Sequence, residues 1–348
     1  MNDPFEARRP YYQAELAAGV ARFLEPRRET CPWCGSTDLS VRLRTSDLIQ
    51  RKPGRFTLEQ CGSCRHIFQN PRLTPAGLNF YYRDFYDGLG LELMEKVFDT
   101  GGQSYRGRVD MLKRFTVPRR WLDVGAGHGH FCRLARQVWP HTVFDGLDQS
   151  TGVEEAQRRG WIDHSHVGEF VALAGELAGR YDVVSMHHYL EHTREPFDEL
   201  DAAAKVLQAG SYLLIELPDP ESSFGRVLGR WWIPWLQPQH QHMIPVRNLV
   251  RALADSGFST VAIEHGAAHQ SCDLVSGLVL TFIAIAPDAR LPWLTTGPTR
   301  WRRLRHAAVW VAARPLLVIA HLLDELLGKV VRRTRGGNTY RVLARKDS

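Results

Sequence analysis

Two groups of residues have the types and spacing to do chemistry. The first is Asp123-Val124-Gly125-Ala126-Gly127-His128-Gly129-His130-Phe131, which follows the apolar pair Trp121-Leu122 and runs into a helical pattern. That order predicts the end of a buried strand, a glycine turn and the first turn of a helix. Glycine suits such a turn because it tolerates positive φ and because a missing Cβ lets a ligand approach the backbone. The N–H groups at a helix start favour an anionic group, so the loop is expected to hold a nucleotide-like cofactor. The second group is Cys31-Pro32-Trp33-Cys34 and Cys61-Gly62-Ser63-Cys64, two C-x2-C turns with Gly35–Gln60 between them. Each turn aims two thiolates at one centre, so Cys31, Cys34, Cys61 and Cys64 are expected to form a closed, structural zinc site on a ribbon hairpin of roughly Leu39–Glu59. Two disulfides are the alternative, and the start Met1–Glu6 has no secretory pattern that would favour them. Cys132 and Cys272 stand alone and read as small core residues.

The elements that must position these groups follow from patterning. Val143–Asp148 reads as a second strand ending in an acid, with Gln149-Ser150 opening the next helix. Asp148 follows Gly127 at about the 20-residue distance from which an acid accepts from ribose hydroxyls in a doubly wound sheet. His166–Phe170 closes a third strand, Tyr181–His192 carries a fourth, and Ser211–Leu217 a fifth. Asp255-Ser256-Gly257-Phe258 enters a sixth, and Thr339–Lys346 alternates like a seventh.

The loop spacing is G-x-G-x-G, not the G-x-G-x-x-G of dinucleotide sites. With Asp123 ahead of it, it resembles motif I of the class I S-adenosylmethionine (SAM)-dependent methyltransferases. Leu190-Glu191-His192 resembles the family's "LEH" ending of the fourth strand, Val206–Gly210 its "vLkpGG" turn, and Ser256-Gly257-Phe258 its "aGF" entry to the sixth strand. The resemblance implies an α/β fold: a Rossmann-like, mostly parallel seven-stranded sheet of order 3-2-1-4-5-7-6, its last strand antiparallel and pairing with Val261–Glu264. It implies a SAM-binding set of Asp123, Gly125, Ala126, Gly127, Gly129, Asp148, Gln149, Glu169, Phe170 and His187. The glycines would hold the amino-acid end, Asp148 the ribose, and Glu169 with Phe170 the adenine. The ribbon followed by Asn70–Tyr86 is similar to a bacterial subfamily of sugar, polysaccharide, lipid and natural-product pathways.

Methyl transfer needs an aligned acceptor and a group to accept its proton. The candidates are His188, Glu191 and His192 after the fourth strand, and His240 after the Trp-rich stretch Phe224–Trp235. In related ubiquinone-pathway enzymes the positions of His188, Glu191 and His192 bind a divalent ion, so a second metal is a further candidate here. Trp231, Trp232 and Trp235 either line an acceptor pocket or pack the insertion on the core. Tyr81, Tyr82 and Tyr86 are candidate phenols.

At 348 residues and 44% hydrophobic, the chain is long enough for one α/β core with small additions. The organisation expected is a helical segment (1–28), the ribbon (29–75), a helical connector (76–115), the SAM-binding core (116–287), a basic helical insertion (288–335) and a final strand (336–348). No stretch of about 18 uncharged apolar residues is present, so no spanning helix is expected, and a cytoplasmic location follows most simply. Nine Lys/Arg against two Asp/Glu between Arg300 and Arg335 give +7 of the chain's net +6, leaving the rest near −1. Charge gathered there argues against nucleic acid on the core. It leaves this helix either packing on the core or a partner subunit, the favoured reading, or meeting an anionic membrane surface at the inner face. Pro315 should start a new helix or kink this one. The sequence leaves oligomeric state open. The functional expectation is SAM-dependent O-, N- or C-methylation of a small biosynthetic acceptor, with an RNA- or DNA-modifying enzyme and a non-catalytic SAM-fold module as alternatives.

Overall fold

The computed structural model of the chain describes residues 4–85, 102–297 and 299–347. Tyr86 and part of the expected connector lie outside the described residues. The strands in chain order are β1 (Leu39–Thr45), β2 (Phe56–Cys61), β3 (Ile67–Gln69), β4 (Arg120–Val124), β5 (Val143–Asp148) and β6 (His164–Val167). They continue as β7 (Tyr181–His187), β8 (Leu207–Pro218), β9 (His242–Met243), β10 (Phe258–Glu264) and β11 (Thr339–Lys346). The helices are α1 (Pro4–Ala17), α2 (Pro75–Tyr82), α3 (Gly102–Leu112), α4 (His130–Val138), α5 (Gly152–Arg158) and α6 (Phe170–Leu173). Then come α7 (Pro196–Val206), α8 (Ser223–Val227), α9 (Val246–Asp255), α10 (Asp273–Ile285) and α11 (Arg300–Val331).

The described chain divides into two units, each assembled from separated segments. One comprises Met1–Leu91, Pro220–Met243 and Gln270–Val331, the other Glu92–Asp219, Ile244–His269 and Arg332–Ser348. The expected boundary at residue 287 does not coincide with this division, because 220–243 and 270–287 group with the ribbon. The physical reason is in the pairing: β9 joins β3 antiparallel, completing a four-stranded sheet β1-β2-β3-β9.

The second unit is built on a seven-stranded sheet of order β10-β11-β8-β7-β4-β5-β6. The five strands β4 to β8 run parallel and β11 runs antiparallel to both β8 and β10. This is the expected order and the expected seventh strand. A parallel sheet covered on both faces needs near-continuous apolar strands. Trp121, Leu122, Val124, Val183, Val184, Leu213, Leu214, Ile215 and Val342 meet that need and are buried. Register places Asp123 opposite Ser185, and Glu216 opposite both His187 and Arg341, so polar side chains gather in neighbouring rows near the carboxyl ends of β4, β7 and β8.

In the first unit Trp232 and Trp235 are core residues, packed with Leu58, Ile67 and Met243. Their indole N–H groups donate to Asp273 Oδ1 (2.8 Å) and to the Gly229 carbonyl (2.9 Å). Of the two readings of these tryptophans, packing is the one realised for both. The hydroxyls of Tyr81 and Tyr82 donate to the carbonyls of Pro53 (2.6 Å) and Gln239 (3.0 Å) and are likewise structural. Lys52 is buried and caps α2, its ammonium donating to the carbonyls of Phe80 (2.7 Å) and Arg83 (2.5 Å). Helix α11 runs unbroken through Pro315, contrary to the expected restart. Proline removes one i→i−4 bond there, and Pro315 stands on an exposed side of the helix where its ring meets no neighbour across a packed interface.

Candidate functional site

The turn between β4 and α4 has the glycine geometry its sequence predicts. Gly125, Gly127 and Gly129 have φ of 74°, 51° and 74°, a region that penalises any residue with a Cβ. The three differ in what a Cβ would meet. At Gly125 it would lie 2.7 Å from Tyr189 Cδ2, and at Gly129 2.8 Å from Ala156 Cβ, whereas at Gly127 nothing lies within 4 Å. Gly125 and Gly129 therefore satisfy packing, whereas Gly127 faces open space. The loop N–H groups largely turn back into the protein: Gly125 and Ala126 donate to the Leu147 carbonyl (2.8 and 3.1 Å) and Gly129 to Ala126 (2.9 Å). Gly127 donates to Asp148 Oδ2 (2.9 Å), and Ser150 N–H to Asp148 Oδ1 (2.8 Å). Asp148 thus fixes the loop against β5, while a carboxylate oxygen has a further lone pair for a ribose hydroxyl. Gln149 and Glu169 are exposed. Phe170 is fully buried at the start of α6, so its ring is a core group and not an open face of the loop.

Beneath the loop, Asp123 accepts from Ser185 Oγ (2.6 Å), and Ser185 in turn accepts from the Trp121 indole (2.7 Å). The His187 ring sits edge-on to Phe131, 4.6 Å between centroids, with Nδ1 3.3 Å from Asp123 Oδ1. Among the described residues neither ring nitrogen makes a hydrogen bond, although both are buried. Burial, assisted by the charge of Arg108, pushes the imidazole down to about 4, so it is neutral at physiological pH. A neutral imidazole keeps one acceptor nitrogen and one donor N–H, whichever tautomer it takes.

His188 is in a different state. It occupies the left-handed region (φ 51°), with Nδ1 3.1 Å from Glu191 Oε1 and Nε2 3.3 Å from Glu216 Oε1. Burial opposes its charge, but the two carboxylates outweigh burial and raise it to about 9. Held between the two carboxylates, the ring favours the imidazolium at neutral pH. Glu216 itself is fully buried and also pairs with Arg108 (Nε 3.0 Å) and Arg341. Burial would raise the Glu216 carboxyl, yet Arg108 and Arg341 hold it well below the usual carboxylate range. Glu191 is buried in the 3-10 turn Leu190–His192, and His192 is half-buried there.

The other two candidate groups belong to the first unit. His240 is buried, its Nδ1 2.7 Å from the Pro234 carbonyl, which fixes the tautomer with the proton on Nδ1. The four cysteines converge: Cys31 and Cys64 Sγ are 3.7 Å apart, Cys34 and Cys61 Sγ 3.6 Å, and all four lie within 4.8 Å of one another. A tetrahedron with metal–sulfur bonds of about 2.3 Å has sulfurs roughly 3.8 Å apart. The Trp33 and Cys64 N–H groups point to Cys31 and Cys61 Sγ (3.4 and 3.5 Å), and all four are free thiols, so the disulfide alternative is not realised.

Sequence reasoning missed Arg108, Tyr189, Glu216 and Arg341. Tyr189 closes over Gly125 and donates to Glu199 (3.0 Å). Glu216 carried a readable signal, as the one charge in the apolar strand β8; Arg341, which shares β11 with Arg345 and Lys346, and Arg108 carried none.

Residues 102–263 match a family described as a methyltransferase domain. The chain is 26% identical over 171 residues to an uncharacterized protein of Methanocaldococcus jannaschii, covering 49% of this chain and 79% of that one. It is 33% identical over 118 residues to a trans-aconitate 2-methyltransferase of Mycolicibacterium gilvum, covering 33% of this chain and 45% of that one. It is 25% identical over 150 residues to a ubiquinone biosynthesis O-methyltransferase of Bordetella avium, covering 40% and 61%. The last two matches span less than two thirds of those relatives' length. Among solved structures, a SAM dependent methyltransferase from Archaeoglobus fulgidus superposes with a TM-score of 0.43 at 18% identity, covering 70% of this chain and 94% of that one.

Two outcomes follow from this geometry. Gly127→Ala carries only the left-handed penalty, about 1 kcal/mol in urea unfolding, but fills the open space and lowers S-adenosylhomocysteine affinity at least about tenfold by calorimetry. Gly129→Ala instead loses about 2–3 kcal/mol of stability from strain and overlap with Ala156. The reverse pattern would show that the ligand does not lie over Gly127. For His188, a folded-state pKa raised from 6.5 to about 9 adds stability that is fully present below pH 6.5 and fades as pH climbs through 9. The Tm advantage of the wild type over His188→Asn, a residue that tolerates the same backbone, should shrink across that window; a constant difference would mean the ring is neutral throughout.

Proposed function

We propose, on the premise that the chain carries a class I SAM-dependent methyltransferase domain, that it methylates a small biosynthetic acceptor on O, N or C. The observation that carries the donor half is Gly127, open on its Cβ side and tied to Asp148 at 2.9 Å. On this reading Gly125, Ala126, Gly127 and Gly129 hold the amino-acid end of the donor, Asp148 and Gln149 the ribose, and Glu169 with the start of α6 the adenine. SAM supplies an electrophilic methyl on a sulfonium, and the protein's task is alignment and proton management. His187, neutral and close to Asp123, has an acceptor nitrogen suited to contact the donor end or receive a proton. His188 stays charged and braces Glu191 and Glu216. Glu191 and His192 stand as acceptor-side groups of this unit, with a divalent ion on them a lesser variant of the same reading. His240 is the acceptor-side candidate carried by the first unit. Relatives named for trans-aconitate and for ubiquinone biosynthesis support a small-molecule acceptor.

The ribbon's part is structural. Cys31, Cys34, Cys61 and Cys64 would close around one zinc ion with no open position for chemistry. Thiols arranged to bind metal suit a reducing compartment, the cytoplasm on this reading.

S-adenosylhomocysteine at about 100 times its Kd should add about 2.7 kcal/mol of stability and raise the Tm. No shift, with no binding by calorimetry, would reduce the domain to a fold without its donor. Purified protein should hold close to one zinc per chain, and Cys61→Ser should lose both the metal and several degrees of Tm. A full-length protein that folds with the same Tm in the presence of strong chelator would sink the zinc reading while leaving the donor site intact.

A further inference from the structure

Helix α11 buries very little of itself. Its inner line is Ala313, Ala320, Asp324 and Gly328, small residues and one acid at helical spacing that let it lie close against α10. Asp324 accepts the Leu274 and Val275 N–H groups at the start of α10 (3.0 and 2.9 Å). At the other end Arg305 donates to the Ile285 carbonyl (3.0 Å), and His306 Nδ1 lies 2.8 Å from that of Ala286. Both ends of α11 are thus fastened to the two ends of α10 within one unit. By length and composition alone α11 would be able to cross a bilayer, which corrects the expectation that no helix could. Its charges are few enough, and its aliphatic run long enough, once Pro315 does not interrupt it. A helix fastened at both ends nevertheless lies along its unit.

The opposite side is aliphatic and open. Trp301, Leu304, Val318, Ile319, Leu322 and Leu326 are between 54% and 73% exposed, along a helix of 32 residues, about 48 Å. Soluble monomers rarely leave so large a continuous apolar face uncovered. Beside it runs a stripe of Arg300, Arg303, Arg314 and Lys329, all exposed and, among the described residues, without an ion pair. Only Glu325 offsets them there, because Asp324 is turned inward.

We propose that α11 is an in-plane anchor that seats the protein on an anionic lipid bilayer. Its aliphatic side would enter the boundary between headgroups and acyl chains, and its cationic stripe would meet the anionic headgroups. Charge selects this occupant: two copies of the same face would oppose one net-positive stripe to another, whereas an anionic surface satisfies both halves of the pattern at once. The favoured sequence reading, a helix covered by its own core or by a partner subunit, does not account for the stripe.

Flotation of the full-length protein on lipid vesicles tests this. Mixed vesicles, with phosphatidylglycerol as roughly one lipid in three and phosphatidylcholine as the rest, should carry at least about tenfold more protein than phosphatidylcholine alone. Raising the salt until the Debye length falls to a few ångströms should reduce this strongly. Ile319→Glu with Leu322→Glu should abolish flotation while the S-adenosylhomocysteine-induced Tm shift persists, showing an intact fold. Arg303→Gln with Lys329→Gln should weaken partitioning roughly 30-fold. Equal binding to neutral and anionic vesicles, or binding that survives Ile319→Glu/Leu322→Glu, would overturn the proposal. So would a wild-type dimer by light scattering that ignores vesicles and is split by the same double change, since a second copy would then be the occupant.

Discussion

The second unit is organised around the need to neutralise Glu216. This carboxylate sits in an apolar run of β8, fully buried, and an unpaired charge there would cost about 3–5 kcal/mol. Three cations answer it from three directions: Arg108 from α3, Arg341 from β11 and His188 from the turn after β7. Glu216 thereby ties together α3, the last strand between β8 and β10, and the turn after β7. It also holds His188 in a backbone region that few side chains tolerate.

The neighbouring histidines take opposite charge states for the same reason. His187 is buried with one carboxylate and a nearby guanidinium, and loses its proton; His188 lies between two carboxylates and keeps one. Two adjacent residues of one type thus give a neutral acceptor and a fixed cation at the end of one strand. That division of roles comes from where the chain leaves β7: His187 is the last strand residue, and the left-handed turn at His188 sets its ring between Glu191 and Glu216.

What was legible in the sequence was what is local in the chain. The glycine loop, its preceding acid and Asp148 are all written within Asp123–Asp148, because a turn must be made by the residues that form it. The two cysteine knuckles were readable for the same reason, and the strand order followed once the ordered motifs were in place. What stayed hidden depended on partners far along the chain. Nothing near Arg108 announces that it meets Glu216, 108 residues later. Whether Trp232 lines a pocket or fills a core turns on Leu58 and Ile67, which belong to the distant hairpin of β2 and β3. His188 read as a base because its two carboxylates were invisible as a pair; one stands in the following turn and the other on β8. Pro315 read as a helix break because its local cost is plain and its solvent-facing position is not.

The short strand β9 ties the inserted segment 220–243 to the ribbon. Ile67 paired with Met243 and Phe68 with His242 are all that the sheet offers it, and so short a strand has no persistence of its own. His66 follows closely on Cys64, and its Nε2 meets His242 Nδ1 at 3.0 Å, inside the core and directly behind the knuckle. The segment 220–243 is thus tied at one end to the ribbon through β9 and His242, and at the other to α10 through the Trp232 indole, which donates to Asp273.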